Sequence, residues 1–189
     1  MRLFKWLLLA ATLCGTLSAC APAVVGGATA GGLAAADRRT SGAYVEDEAI
    51  EWKANNRIKD TLGDKIHVNV TSYNRNVLLT GEAMDESART KAESLAKGVE
   101  NVRNVTNELQ IGGASALTSR SNDAYLTSRV KAAFLTENRF PANYVKVVTE
   151  NSTVYLMGIV TRQEADDATA IARNTDGVQK VVKVFEYIE

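Results

Sequence analysis

The chain has 189 residues, 46% of them hydrophobic and 23% charged, with 22 basic and 22 acidic side chains. That composition suits one globular domain or two small ones, and it lacks the basic excess on which nucleic-acid binding depends. Its one histidine, His67, cannot build a usual zinc site, so no metal, cofactor or catalytic residue is expected.

The N-terminus places Arg2 and Lys5 before an uncharged apolar run, Leu7–Leu17, and small residues lead up to Cys20. Residues 1–19 therefore read as a secretory signal peptide, and the run is shorter than the about 20 residues of a membrane span. Leu17-Ser18-Ala19-Cys20 resembles a bacterial lipobox, which makes Cys20 the acylated first residue of the mature chain. Ala21 in place of aspartate points to the outer membrane, with the protein lipid-anchored on its periplasmic face. Loss of Arg2 and Lys5 leaves 20 basic against 22 acidic side chains, a net charge of −2. Cys14 leaves with the signal, so neither a disulfide nor thiol chemistry is expected of the folded part.

Residues 20–45 are rich in glycine and alanine and read as a tether. From residue 46 the pattern turns periodic. Ile50, Ala54, Ile58 and Leu62 mark a helix face. Ile66, Val68 and Val70 alternate along a strand, and Val77–Thr80 form a second strand ending at Gly81. Asp85 can cap the next helix, whose inward face holds Ala88, Ala92, Leu95, Ala96 and Val99. A last strand is expected to turn Val105, Leu109 and Ile111 to one side and to leave Thr106, Glu108 and Gln110 solvated. This first unit covers 46–112.

A small polar linker, 113–121, precedes a second unit over 122–189. Leu126, Val130, Ala133 and Phe134 make its first helix face. Val145 and Val147 lie on a strand, Asn151-Ser152 is a turn, and the next strand ends at Gly158. Thr161 and Glu164 fit a capping box, and Ala165, Ala168, Ile171 and Ala172 face inward. In the final strand Val181, Phe185 and Tyr187 point one way, and Val182, Val184 and Ile188 the other. Both faces need cover, and the first unit can supply the second cover.

The units repeat. Val77, Leu79 and Gly81 recur 77 residues later as Val154, Leu156 and Gly158, and the glycines are expected to serve the turn into the helix. The first helices match as Arg57-Ile58-Lys59 and Arg129-Val130-Lys131, which lengthens the second helix-to-strand loop. The order α-β-β-α-β, the V-x-L-x-G strand end and Gly177-Val178-Gln179-Lys180-Val181 resemble the BON domain, with Asn101 standing where the first copy lacks that glycine. The expected class is α+β, two tandem αββαβ BON domains behind a signal peptide and tether.

The resemblance to dual BON-domain outer-membrane lipoproteins implies a non-enzymatic protein that binds anionic phospholipid and supports outer-membrane integrity. It places the membrane-facing element at Asn122 to Leu135, with Tyr125, Leu126, Arg129, Val130 and Lys131 as contacts. By periodicity alone, Leu126, Val130 and Phe134 are that helix's core face. Trp52 lies off the first helix's core face, as an inter-domain plug or a second membrane contact, the plug being favoured. The alternative function is a protein-interaction module that assists envelope assembly or regulates cell-wall remodelling enzymes. Glu164, Asp166 and Asp167 sit where acids favour a helix dipole, which explains them without a cation site.

Overall fold

A computed structural model describes residues 38–113 and 117–189, with side chains of residues 117 and 118 excepted. The signal peptide, Cys20 and the tether up to residue 37 lie outside the described residues. Helix α1 spans Ser41–Leu62, and its N-cap Thr40 accepts the Ala43 amide. It starts ahead of the expected Glu46 because a hydroxyl cap is worth about 1 kcal/mol, which offsets the cost of a helical glycine at 42. Strands β1 (Ile66–Tyr73) and β2 (Asn76–Ala83) follow, then α2 (Glu86–Lys97), β3 (Asn104–Asn107) and β4 (Gln110–Ile111). The second unit repeats the order with α3 (Leu117–Glu137), β5 (Val145–Glu150), β6 (Thr153–Val160), α4 (Arg162–Arg173) and β7 (Lys180–Tyr187). Helix α3 begins inside the segment expected to be linker.

Each unit folds around a hairpin. β1–β2 and β5–β6 are antiparallel, while β3, β4 and β7 return parallel to the central strands β2 and β6. The hairpin turns hold Asn74-Arg75 and Asn151-Ser152, all with positive φ, as a two-residue turn matched to strand twist requires. Asp85 caps α2, and Thr161 with Glu164 closes the capping box of α4. Asn101 has φ 66° and Gly177 φ 94°, so asparagine does take the left-handed position in the first unit.

Alternation along the central strands builds four layers. Val77 and Leu79 face Ile50, Ala54, Ile58, Ala92 and Ala96. Val154, Leu156 and Val160 face Val130, Phe134, Ala165, Ala168 and Ile171. The intervening Leu78, Tyr155 and Met157 meet one another with Tyr73, and Val182 and Val184 pack against them. The two sheets thus lie face to face with the helices outside. This is the cover that the doubly apolar β7 required; Ile188 falls past the strand end and is exposed. Polar contacts rim the seam: Asn69 to Glu150 at 2.8 Å, Lys146 to Glu51 at 3.0 Å and Asn74 to Glu186 at 2.7 Å. Burial in the seam pushes the Tyr155 phenol well above its usual range, with Glu108 and Glu150 adding to the shift.

Three local expectations are corrected. The last strand of the first unit is broken, because the Asn107 side chain captures the Leu109 amide at 3.2 Å. Leu109 stays buried, but Ile111 turns outward at 52% exposure, and Glu108 is half-buried near the Tyr155 phenol instead of facing water. Gly81 and Gly158 do not end their strands, which continue to Ala83 and Val160. They allow close approach of the neighbouring strand: a Cβ at Gly81 would overlap the His67 carbonyl, and one at Gly158 the Tyr144 carbonyl. The first helices also correspond one turn away from the Arg-x-Lys match. Asp47 accepts the amides of Asn74 and Arg75, and Asp123 those of Asn151 and Ser152. Equating these two aspartates pairs Ile50 with Leu126 and Ile58 with Phe134 and removes most of the expected loop difference.

Candidate functional site

Helix α3 is held at both ends. Buried Asp123 ties its start to the β5–β6 turn, and Phe134 meets Phe140 edge-on at 5.0 Å at its end. Between them Leu126 and Val130 are buried at 2% and 0% exposure. Gly177 lets the loop before β7 lie against Leu126, since a Cβ there would approach Leu126 Cδ2 to 2.8 Å.

That burial corrects two expected membrane contacts. Leu126 and Val130 serve the core, as their periodicity suggested, and reach no surface. The outer face is instead formed by Tyr125, Ser128, Ala132 and Leu135, which recur every three or four residues and are all exposed. Tyr125 is 60% and Leu135 70% exposed. Leu135 was inside the predicted segment, but it was not singled out; its spacing from Tyr125 and Ser128 was the available signal.

Charge flanks this face. Lys131 is exposed and forms no ion pair among the described residues. Arg129 is less free than its sequence suggested: it donates to the Asp176 carboxylate at 3.2 Å and carbonyl at 3.1 Å. Its guanidinium sits 5.8 Å from the Tyr125 ring centroid. The arrangement combines an amphipathic aromatic, an exposed leucine, small residues and one unpaired lysine, which suits the boundary between headgroups and acyl chains.

Trp52 does not plug the domain seam. It is 68% exposed on the side of α1 opposite Ile50, Ala54 and Ile58. Since α1 and α3 cover opposite outer faces of the paired sheets, a flat bilayer lying along the α3 face does not also reach Trp52. His67 is half-buried, with Nδ1 3.1 Å from a Glu82 carboxylate oxygen. Glu164 completes its helix cap and also receives Arg38 in a forked ion pair. Among the described residues no group of acids, histidine and cysteine could hold a metal ion, and no helix is long and apolar enough to cross a membrane.

Residues 46–113 and 122–189 each match the model of the BON domain. The chain is 39% identical to the outer membrane lipoprotein DolP of Haemophilus influenzae, over 97% of this chain and 95% of that protein. It is 39% identical to a 21 kDa hemolysin of Actinobacillus pleuropneumoniae, covering 81% of this chain and 80% of the relative. Osmotically-inducible protein Y of Escherichia coli is 31% identical, over 74% of this chain and 72% of that protein.

Proposed function

The chain belongs to the BON-domain family and is an outer-membrane lipoprotein with two such domains, and from that premise we propose that it binds anionic phospholipid through the outer face of α3. The observation that carries this reading is the exposure of Tyr125 and Leu135 on one face of a helix whose other face is locked into the core. Inserting a leucine side chain yields up to about 1.5–3 kcal/mol, and a lysine near an anionic surface adds about 1 kcal/mol. These terms are weak for a free protein. A lipid anchor at Cys20 supplies the rest by holding α3 at high local concentration beside the bilayer.

The test is sedimentation of the lipid-free chain beginning at Ala21 with phosphatidylglycerol and phosphatidylcholine vesicles. Binding is expected to the anionic vesicles and to fall sharply in Leu135→Asp. Equal binding to both vesicles, or to neither, rejects the reading and favours a protein-interaction role.

A further inference from the structure

Arg38 and Arg39 are consecutive, yet they grip different domains. Arg38 donates to the two Glu164 carboxylate oxygens at 2.6 and 2.8 Å and to the Ile159 carbonyl at 2.9 Å. Its guanidinium also lies 3.9 Å from the Tyr144 ring centroid. All three partners belong to the second domain. Arg39 donates to Asp47 at 2.9 Å and lies 4.1 Å from the Tyr73 ring centroid, both in the first domain. Thr40 then caps α1. The chain therefore passes from one domain to the other within three residues, with a side chain fixed at each.

The receptor for Arg38 is prepared in advance. Glu164 Oε2 already accepts the Thr161 amide at 2.8 Å, and the Thr161 hydroxyl accepts the Glu164 amide at 3.3 Å. A carboxylate held in this way loses little freedom on receiving a planar guanidinium fork, which is the strong form of this ion pair. The grip also lies beside α3: Tyr144 closes the short turn Ala142–Tyr144 that follows α3 and leads into β5.

We propose that Arg38 is a positioning residue that fixes the point where the acylated tether enters the folded part to the second domain, the domain that carries α3. The inference rests on the α3 reading above. Cys20 lies 18 residues before Arg38, so the anchor can be no farther than roughly 60 Å from this point. With Arg38 engaged, the point of entry is fixed to the domain that carries α3. With Arg38 removed, the first grip is that of Arg39 on the first domain, whose helices form the opposite layer, and α3 follows only through the sheet–sheet seam.

The test uses the acylated mature protein in phosphatidylglycerol vesicles with a fluorophore on Ser128→Cys, quenched by doxyl-labelled lipid. Arg38→Ala and Glu164→Gln are compared, because glutamine preserves the capping box while removing the ion pair. Each variant is expected to lower quenching at least two-fold. The lipid-free chain beginning at Ala21 is expected to bind the same vesicles equally well with and without Arg38→Ala. Unchanged quenching in both variants, with the unsubstituted protein quenched, overturns the role of Arg38 alone. Loss of affinity in the lipid-free Arg38→Ala chain also overturns it, by making Arg38 part of the site or fold. Absence of quenching in the unsubstituted protein rejects the α3 reading and the positioning role with it.

Discussion

Asp47 and Asp123 do the same job in the two repeats, and the structure predicts that losing them has unequal cost. Asp123 accepts two backbone amides, Asn151 at 2.9 Å and Ser152 at 2.8 Å. Asn151 is exposed, so water can replace part of what Asp123→Ala removes, and a loss of about 2 kcal/mol is expected. Asp47 accepts the equivalent amides of Asn74 and Arg75 at 2.8 and 2.7 Å, and also the Ser72 hydroxyl at 2.7 Å and Arg39 at 2.9 Å. Ser72 is fully buried, and the Arg39 side chain is only 8% exposed. Asp47→Ala thus removes two further bonds, those from the buried Ser72 hydroxyl and from Arg39, and is expected to cost about 3–5 kcal/mol. The difference between the variants should be about 2 kcal/mol. Urea unfolding measures it, with Trp52 emission reporting the first domain and far-ultraviolet circular dichroism the whole. Equal losses, or a larger loss in Asp123→Ala, would refute the assignment of that difference to Arg39 and Ser72.

Leu135→Ala should weaken vesicle binding of the lipid-free chain roughly ten-fold, equivalent to about 1.4 kcal/mol, with its unfolding midpoint unchanged; sedimentation and urea titration check both. Gly158→Ala should destabilise the second domain by at least about 2 kcal/mol, because the new methyl group meets the backbone carbonyl of Tyr144, in the turn leading into β5, and not a mobile side chain; thermal unfolding reads this directly. Trp52 is the only tryptophan left after signal removal, and its emission should not shift when anionic vesicles bind, since α1 faces away from α3. The Arg38 hydrogen bond holds the Glu164 carboxyl below its usual 4.5. A depressed carboxyl gives stability that is present above that usual value and is lost as pH falls through the lower folded value. Glu164→Gln should therefore reduce the acid sensitivity of unfolding below pH 4.5 and leave its pH dependence near neutrality unaltered.

The repeated αββαβ order was legible because it rests on local rules. Strand alternation, the Asp85 cap, the Thr161–Glu164 capping box and the left-handed Asn101 each depend on neighbours a few residues away. The failures came where distant residues decide. The Arg-x-Lys match between the first helices was a coincidence of surface charge, whereas the true register is set by Asp47 and Asp123 reaching their hairpin turns. The start of α1 was hidden because glycine beside Thr40 looked like more tether. At the candidate site the helix was found, and burial then separated Leu126 and Val130 from Tyr125 and Leu135. No local pattern announced Arg38 and Glu164, which are 126 residues apart.

The outer face of α3 is the surface proposed to meet lipid. Amide signals of the lipid-free chain can be followed by nuclear magnetic resonance as anionic bicelles carrying a paramagnetic lipid are added. Broadening concentrated between Ala124 and Thr136, with Val45 to Lys59 of α1 unaffected, is the predicted result. Broadening centred on α1, or none on either helix, would contradict it.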